Sequence, residues 1–386
     1  MSFFSKPNAN PNTNQDDSLT DLGLDNQANN PSDTVSSLQW MPNLQMKILA
    51  ASTWDGKIYL YEALMSGYQK YLTQKMVYTS QNEPILSLSW KKDSSMIFAG
   101  CGDNSVKAFD VNSGKSMIVG SHDGPVHSVH WIEQMNALMS ISYNQQIKFW
   151  QLGNPNAVFQ VASDSRIFAS DFNYPYVFLG MNNDQLNIFD LNQMQGFPNG
   201  KLIGTFATPL QSQTNSLALF PKNDGYGVGS IDGRANLSTM EKQNVYGGSQ
   251  SNAPLFKSAS KMTFKCHKME ESATINILLP VHSIGFHPNS RCFVYTAGGD
   301  GMINFWDHEA KNKIKTLSFK GVPVNRVKIS DDGLLMAYSL GYDWQKGIWG
   351  MDPAVKPKVC VHVMAENELK YNSNSSVGGG GGGWKG

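Results

Sequence analysis

One structural unit recurs seven times along this chain of 386 residues. Each copy has a segment of alternating polarity, a segment of small residues, an Asp or Asn turn, and an apolar segment that closes on an aromatic side chain. The copies are mostly spaced about forty residues apart, which is typical of architectures built from small repeated β-units. This repeat constrains the fold strongly, because a unit that cannot bury both of its faces alone must stack on its neighbours.

The copies begin with alternating segments, which are Val35–Trp40, Ile85–Trp90, Val126–Trp131, Phe168–Phe172, Ser216–Phe220, Val281–His287 and Val324–Ile329. The turn residues are Asp55, Asp103, Asn144, Asn183 with Asp184, Asp232, Asp300 and Asp343. The closing segments end at Tyr61, Phe109, Trp150, Phe189, Ser238, Trp306 and Trp349, the last of them being Gly347–Trp349. Alternation indicates strands, and Asp-Gly or Asn turns supply the positive φ of tight hairpins. The sequence therefore predicts an all-β, seven-bladed propeller, because such blades bury their faces only in a closed ring.

The two ends of the chain differ in composition from the repeat. Residues 1–32 are rich in Asn, Ser, Asp and Pro, and residues 371–386 contain the run Gly378–Gly383. Both tails are predicted to be disordered, because they carry too few apolar side chains to offset the entropy lost on ordering. The propeller is predicted to span 33–370 with an irregular loop at about 241–261. Its last blade is predicted to be built mostly from C-terminal sequence, with Lys358–Val363 as the outer strand.

Sequence motifs of catalysis and metal binding are absent. The sequence holds no phosphate-binding loop, no His-Glu-x-x-His pair and no Gly-x-Ser-x-Gly elbow. Cys266 and His267 are adjacent, but neighbours on a strand face opposite sides, which separates a thiol from its base. The four cysteines form no Cys-x-x-Cys pair and are expected to be reduced, and histidines such as His287 are expected to bond the turn aspartates. We therefore expect a protein that is not an enzyme and that uses no cofactor or metal.

Charge is balanced over the whole chain but concentrated locally. Lys+Arg and Asp+Glu both number 31, which gives a formal net charge of +0, and no apolar run is long enough to span a bilayer. Residues 256–270 hold four lysines against one glutamate, and residues 308–330 hold six basic residues against one glutamate. These segments are either a solvated face or an electropositive groove for RNA phosphates or an acidic peptide. In the second case Phe264 and Trp306 are candidate apolar anchors.

Several strings are more specific than the repeat. In chain order they are His122–Trp131, Ser230–Arg234, Thr263–Lys268, Ile284–Pro288, Asp300–Asp307 and Tyr342–Gly347. Their content and order resemble the messenger-RNA export WD40 proteins of the nuclear pore, and the resemblance extends over about residues 33–370. Ala365–Lys370 also resembles the terminal segment of that family. Val119–Asp123 is closer to a related family, the mitotic-checkpoint WD40 proteins.

The resemblance implies a scaffold that binds a GLEBS segment of an FG nucleoporin and supports messenger-RNA export at the nuclear pore. It implies a location in the nucleus and the nuclear pore complex, with some cytoplasmic protein. The expected partners are that nucleoporin and messenger ribonucleoprotein or single-stranded RNA. The ring is expected to be monomeric within a complex and not inserted in a membrane. An adaptor of the mitotic spindle checkpoint that binds GLEBS segments of checkpoint kinases is the alternative.

The resemblance also transfers a basic groove to particular positions of this chain. The positions that match are Arg234, Phe264, Lys265, Asp307, Lys311 and Lys313, and Trp306 and His308 adjoin them. His308 stands where the family usually has a basic residue, and a histidine is mostly neutral at pH 7 unless its surroundings raise its pKa. The resemblance therefore implies an RNA or acidic-peptide groove beside the fifth to seventh repeats.

Overall fold

The computed structural model describes residues 21–369 apart from 25, 44, 67–68, 81–82, 183, 195–201, 244–254, 271, 273, 291–292 and 366–367. Within this part of the chain, six four-stranded sheets and one three-stranded sheet form the blades of a seven-bladed β-propeller. In each blade, strands that follow one another in sequence pair antiparallel, from the central channel to the rim. The fold predicted from the repeat is therefore confirmed.

The first four blades take their strands in order along the chain. Blade 1 holds β1 (Val35–Trp40), β2 (Ile48–Thr53), β3 (Lys57–Ser66) and β4 (Gln69–Thr79). Blade 2 holds β5 (Ile85–Trp90), β6 (Met96–Cys101), β7 (Ser105–Asp110) and β8 (Ser116–Ser121). Blade 3 holds β9 (Val126–Ile132), β10 (Ala137–Ser142), β11 (Gln146–Trp150) and β12 (Phe159–Ala162). Blade 4 holds β13 (Ile167–Asn173), β14 (Tyr176–Met181), β15 (Gln185–Asp190) and β16 (Leu202–Ala207).

The remaining blades follow, with one small hairpin between blades 5 and 6. Blade 5 holds β17 (Thr214–Leu219), β18 (Gly225–Ser230), β19 (Arg234–Gln243) and β20 (Leu255–Lys265). The hairpin pairs β21 (Lys268–Glu270) with β22 (Asn276–Leu278). Blade 6 holds β23 (Val281–Phe286), β24 (Phe293–Gly298), β25 (Met302–Asp307) and β26 (Asn312–Ser318). Blade 7 holds β27 (Val324–Ile329), β28 (Leu335–Leu340) and β29 (Lys358–Val363). Short 3₁₀ helices lie at Gln27–Asn29, Glu133–Met135, Leu191–Met194 and Ile348–Gly350.

The antiparallel order gives the ring two distinct faces. Turns from the second to the third strand of a blade lie at one edge, together with the links from one blade to the next, and we call this edge the upper face. Turns from the first to the second strand and from the third to the fourth lie at the opposite edge, the lower face. The position of a residue along its strand therefore determines whether it lies near the upper or the lower face.

A β-bulge marks the upper end of the innermost strand in all seven blades. A bulge places one extra residue in a strand and re-aims its side chain. The extra residues are Ser36, Leu86, His127, Phe168, Asn215, His282 and Asn325. They therefore form a ring of side chains at the upper mouth of the central channel.

Polar side chains near the channel join every blade to the next. Ser37 accepts a hydrogen bond from Leu88 N (3.3 Å), Ser87 from Val129 N (3.2 Å) and Asp171 from Leu219 N (2.7 Å). His130 Nε2 bonds Ser170 Oγ (3.0 Å), and Ser216 and Ser283 donate to Val281 O (2.9 Å) and Val327 O (3.2 Å). Arg326 Nε donates to Ser36 O (2.7 Å), which joins the last blade to the first. Each bond satisfies a group that the inner strand cannot pair within its own sheet.

The third strand of blade 7 differs from the sequence prediction. Gly347–Trp349 was predicted to close the seventh copy, but these residues lie in a loop with a 3₁₀ turn at Ile348–Gly350. Lys358–Val363 pairs with β28 and is the third strand, not the outer one. The predicted C-terminal origin of most of the blade is correct. The prediction misplaced the strand because the aromatic at the usual spacing, Trp349, is not buried.

The outer position of blade 7 is filled from the N-terminal side of the chain. Leu22 forms a β-bridge with Val361, with backbone hydrogen bonds of 2.7 and 3.0 Å in the two directions. Leu24 forms a parallel bridge with Leu72 of blade 1, where Leu72 N donates to Gly23 O (2.9 Å). Both leucines are buried. We call residues 21–24 the clasp, because they span the junction of the last and first blades.

The clasp corrects the prediction that residues 1–32 are a disordered tail. Where the structure describes that segment, Leu22 and Leu24 alternate and enter the apolar junction between blades 7 and 1, which offsets the ordering cost. The predicted irregular loop at 241–261 is also partly wrong, since β19 and β20 pair through Gln243 and Leu255. The many polar residues of this hairpin led the sequence prediction to treat its strands as a loop. Residues 1–20, 244–254 and 371–386 lie outside the described residues, and so do the predictions that fall on them.

Candidate RNA and peptide interface

Arg234 and Lys265 lie side by side near the upper face of blade 5. They are directly opposite each other in the register of β19 and β20. Arg234 Nε is 3.3 Å from Asp232 Oδ2 in a partly exposed ion pair, and Lys265 is exposed. Such a partly exposed pair contributes little to stability, and Asp232 offsets part of the charge of Arg234. The structure therefore brings this predicted pair together.

Phe264, Trp306 and Lys313 meet at the junction between blades 5 and 6. The rings of Phe264 and Trp306 lie 4.5 Å apart between centroids, and the Lys313 ammonium lies 5.9 Å from the Trp306 ring. Partial burial of that ammonium lowers the pKa of Lys313. Phe264 and Trp306 are only 4% and 3% exposed, so they pack between blades and do not present faces on which RNA bases could stack. The expectation that they act as apolar anchors is corrected, because Trp306 donates to Thr296 Oγ1 (3.0 Å) within its own blade.

Asp307, His308 and Lys311 form the turn from β25 to β26 on the lower face. Asp307 is buried and accepts hydrogen bonds from Glu309 N and Ala310 N, each of 2.9 Å. His308 is buried against Phe220 and lies 3.1 Å from Lys261 Nζ through its Nδ1. Lys311 is exposed and has a φ of 56°, as the tight turn requires. Asp307 and His308 therefore build the turn that presents Lys311.

The predicted groove is thus divided along one junction. Arg234 and Lys265 lie towards the upper face, and Lys311 and Lys313 towards the lower face. The buried pair of Phe264 and Trp306 lies beneath them. The arrangement offers separated cationic groups along the junction of two blades, which fits an extended polyanion better than a compact one. It remains a candidate site.

The histidines and cysteines have structural roles in the described part of the chain. His267 Nδ1 bonds the turn residue Asp300 (2.8 Å), as we expected of histidines, whereas His287 bonds Gly333 O (2.9 Å) and not an aspartate. Cys101, Cys266 and Cys360 are free thiols, and burial raises the pKa of Cys101 and Cys360 to about 11. Cys292 is outside the described residues. Within those residues no group of three His, Cys, Asp or Glu side chains is placed to hold a metal ion.

Sequence reasoning missed an apolar surface on the upper face. The loop between β28 and β29 exposes Trp344, Ile348, Trp349 and Met351, and Trp349 is 96% exposed. The signal was present, since these large apolar residues occur within eight positions next to Gly347 and Gly350. The segment was interpreted as a buried strand because Trp349 stands at the repeat position of an aromatic residue.

No described helix is long and apolar enough to cross a membrane.

Family comparisons agree with this architecture. The family model "WD domain, G-beta repeat" matches residues 27–62 and 260–307. A second model, the WD40 domain of anaphase-promoting complex subunit 4, matches residues 69–134. The ring of seven blades and these matches define a WD40-repeat protein.

Comparison with individual proteins shows which WD40-repeat proteins this chain is similar to. The chain is 29% identical to the Poly(A)+ RNA export protein of Schizosaccharomyces pombe over 88% of this chain and 90% of that protein. It is 27% identical to mRNA export factor GLE2 of Chaetomium thermophilum over 88% and 90% of the two chains. It is 28% identical to Protein Rae1 of Drosophila melanogaster over 90% and 95%. The resemblance predicted from the sequence is confirmed: the chain is a homologue of the messenger-RNA export WD40 proteins.

Proposed function

We propose that this chain is a non-enzymatic scaffold of messenger-RNA export that docks a GLEBS segment of an FG nucleoporin at the nuclear pore. The observation that carries the proposal is the similarity to export proteins along about nine-tenths of both chains. A nuclear and pore location, with some cytoplasmic protein, belongs to the same proposal.

The geometry of the ring supports a docking role. Loops on a rigid β-scaffold are where such proteins bind partners. The upper face exposes apolar side chains on three second-to-third strand turns (Trp54, Tyr143 and Ile231) and on the long loop of blade 7. Exposed apolar side chains that gather on one face favour a protein partner. Burial raises the thiol pKa of each described cysteine, which argues against thiolate chemistry.

RNA contact through the divided basic groove is the second part of the proposal. Lys265 and Lys311 are exposed along one junction, and Lys313 lies on the same junction with its ammonium partly buried beside the Trp306 ring. Cations that follow the junction can neutralise successive phosphates of a single strand. Stacking does not contribute, because both aromatic rings are buried. The RNA contact is therefore electrostatic and sensitive to salt.

A pull-down with the tagged full chain tests the proposal. We expect a GLEBS-bearing nucleoporin to be recovered and to bind the purified ring one to one. Recovery of checkpoint kinases without a nucleoporin would instead support the alternative, the spindle-checkpoint adaptor. The resemblance of Val119–Asp123 to the checkpoint family is the observation that keeps this alternative in view.

A further inference from the structure

The central channel of the ring encloses a cavity of about 550 Å³. Its walls come from the inner strands of all seven blades, and serine hydroxyls recur among the lining side chains. Small-molecule sites in proteins usually have volumes of about 300–1,000 Å³. The channel is therefore large enough to admit a small polar molecule.

One level of the channel differs in a single blade. The residue that follows the β-bulge of the inner strand is a serine in five blades, an alanine in blade 4 and an arginine in blade 7. These residues are Ser37, Ser87, Ser128, Ala169, Ser216, Ser283 and Arg326, in blade order. Arg326 is therefore a long cationic side chain at a level where the other six blades carry small ones.

Two cations line this cavity without forming an ion pair with any described residue. Arg326 Nε donates to Ser36 O (2.7 Å) and Nη1 donates to Asn325 O (2.8 Å), so both bonds go to neutral backbone carbonyls. Removal from water lowers the pKa of Arg326. Lys328 stands two residues further along β27 and lines the same cavity. Because a charge inside a protein is costly unless it is paired, these two cations favour an anion in the channel.

The carboxylates of the cavity lie closer to the lower face than Arg326 does. Asp171 stands two residues beyond Ala169 on β13, where it accepts a hydrogen bond from Leu219 N (2.7 Å). Burial raises the pKa of Asp171, which disfavours its charged form. Asp331 follows β27 at the lower face and is exposed. No described carboxylate lines the cavity at the level of Arg326, so the upper half of the channel is electropositive.

Neutral hydrogen-bond donors stand at the level of Arg326. Ser37 of blade 1 and Ser87 of blade 2 each accept a backbone N–H of the following blade, at 3.3 and 3.2 Å. A hydroxyl that accepts such a bond still has its own hydrogen to donate. Both serines line the cavity in the two blades that follow blade 7 around the ring. An anion held by Arg326 can therefore receive further hydrogen bonds from these hydroxyls.

His127 adds a buried nitrogen at the upper mouth. Its Nδ1 lies 2.9 Å from Ser128 Oγ, whereas its Nε2 has no hydrogen-bond partner among the described residues. Burial lowers the pKa of His127 to about 3, so the imidazole is neutral at pH 7. The Tyr143 ring lies against His127 with 4.6 Å between centroids, and the Arg326 cation opposes the rise that burial causes in the pKa of Tyr143. Tyr143 thus connects His127 of blade 3 with Arg326 of blade 7 over the mouth of the channel.

We propose that the upper half of the central channel is a binding site for a small phosphate-bearing molecule. The Arg326 guanidinium binds the phosphate group, the Lys328 ammonium approaches it from the lower side, and the hydroxyls of Ser37 and Ser87 donate to its oxygens. The planar guanidinium suits phosphate geometry. A phosphate monoester carries a charge of about −1.5 to −2 at pH 7, which matches two cations better than the single charge of a carboxylate does. The inference goes beyond the proposed function and does not depend on it.

The experiment titrates inorganic phosphate, pyrophosphate and acetate into the full chain by calorimetry at pH 7 and constant ionic strength. We expect pyrophosphate to bind more tightly than phosphate, and acetate to bind weakest. Arg326→Gln should weaken pyrophosphate binding about tenfold or more, because it removes hydrogen bonds between two charged groups. Lys328→Gln should weaken it about threefold or more. Arg166→Gln is the matched control, since Arg166 is exposed on the link into blade 4 and does not line the cavity.

A second measurement separates binding from folding. Arg326→Gln also removes the bond to Ser36 O that joins the last blade to the first. The melting temperature of each variant is therefore measured with and without pyrophosphate, because a ligand that binds only the folded chain raises it. Lys328→Gln provides an independent test, since the Lys328 ammonium donates to no described residue. The rise in melting temperature should be present in the unaltered chain and in Arg166→Gln, and should be smaller in both channel variants.

Four outcomes would overturn the inference. The unaltered chain could bind neither phosphate nor pyrophosphate, which would leave the channel without this ligand. Equal affinity in Arg326→Gln, Lys328→Gln and the unaltered chain would place the bound anion elsewhere on the ring. Equal affinity for acetate and phosphate would make the site one for carboxylates. Displacement of pyrophosphate by single-stranded RNA without terminal phosphates would make the channel part of an RNA path and not a small-molecule site.

Discussion

His362 Nδ1 lies 2.6 Å from Asp21 Oδ1, which joins two residues that are 341 positions apart in the chain. The other ring nitrogen of His362 lies 3.0 Å from Glu368 Oε2, and Lys315 Nζ donates to Glu368 Oε1 (2.9 Å). Tyr338 Oη also donates to Asp21. A histidine with a carboxylate at each nitrogen donates from both only when it is protonated. This network fixes the clasp to blade 7 and so closes the ring.

The first prediction concerns the apolar half of the clasp. Leu22 is fully buried between blades 7 and 1. Leu22→Ala should lower the free energy of unfolding by about 2–5 kcal/mol, because it removes buried methyl groups and leaves a cavity. Urea denaturation followed by tryptophan fluorescence measures the change. The exposed control Ile118→Ala should change it by under about 0.5 kcal/mol. Equal midpoints for Leu22→Ala and the unaltered chain would show that the clasp does not close the ring.

The second prediction concerns the charged half. Hydrogen bonds to Asp21 and Glu368 raise the pKa of His362 from 6.5 to about 9 against the opposing effect of burial. The stabilisation is fully present below the unfolded pKa of 6.5 and is lost as the pH rises towards 9. Thermal stability should therefore fall between pH 7 and 9.5 in the unaltered chain. His362→Gln should be less stable at pH 6.5 and should lose most of this slope. A slope that persists in the variant would assign it to another group.

The sequence predicted the ring and most inner strands because Asp turns and alternating segments report local structure. It did not reveal the clasp, since Leu22 and Leu24 stand in a polar segment, and their partners Val361 and Leu72 lie 339 and 48 positions away in the chain. It misassigned Trp349 because repeat spacing does not distinguish a buried aromatic from an exposed one. The sequence analysis named the groove residues, but it did not reveal that they are divided between the upper and lower faces, because that division depends on the direction of each strand in the sheet. The burial of Phe264 and Trp306 depends on how two blades pack.

The third prediction concerns acid sensitivity in the channel. His130 is partly buried beside Ser170, and its removal from water lowers the pKa of His130 from 6.5 to about 4. The unfolded chain binds a proton near pH 6.5 and the folded chain only near 4, so stability falls as the pH falls through this window. His130→Gln keeps a hydrogen-bonding group towards Ser170 but cannot be charged. The variant should therefore lose less stability between pH 6.5 and 4.5 in urea titrations. An unchanged acid slope would mean that His130 does not contribute to it.

The fourth prediction concerns the junction of blades 2 and 3. A Cβ at Gly120 would lie only 2.1 Å from Cζ3 of the Trp150 ring, whose Nε1 donates to Ser140 Oγ (2.7 Å). Gly120→Ala should therefore cost about 1–3 kcal/mol, because the indole must move from a packed position. Gly204→Ala is the matched control, since Gly204 also lies in an outer strand and its Cβ would meet only the Phe206 ring at 3.3 Å. Thermal unfolding of the two variants measures the difference. Equal melting temperatures would show that the junction accommodates the methyl group.

The last prediction tests the divided groove. Charge reversal of Lys311 and Lys313 together removes the cations near the lower face, and Arg234→Glu removes one near the upper face. Both variants should bind single-stranded RNA more weakly, and each lost phosphate contact should reduce the log–log salt slope by about 0.7. Lys311 and Lys313 are exposed and Arg234 is partly exposed, and substitutions at such surface positions usually change stability by under about 0.5 kcal/mol, so the fold should survive both changes.

The two variants also report how RNA lies on the ring. An RNA strand that follows the junction between blades 5 and 6 from one face to the other contacts both groups. The losses of binding free energy in the two variants should then add. A strand bound near the lower face alone should respond only to the lysine pair, because Arg234 is at the other end of the junction. Lys92→Glu on the lower face of blade 2 is the control, since it changes net charge by the same kind of step without touching the groove. If every variant matches this control in RNA affinity and salt slope, the lysines are solvated surface residues that do not bind RNA. The ring would then act through protein partners alone.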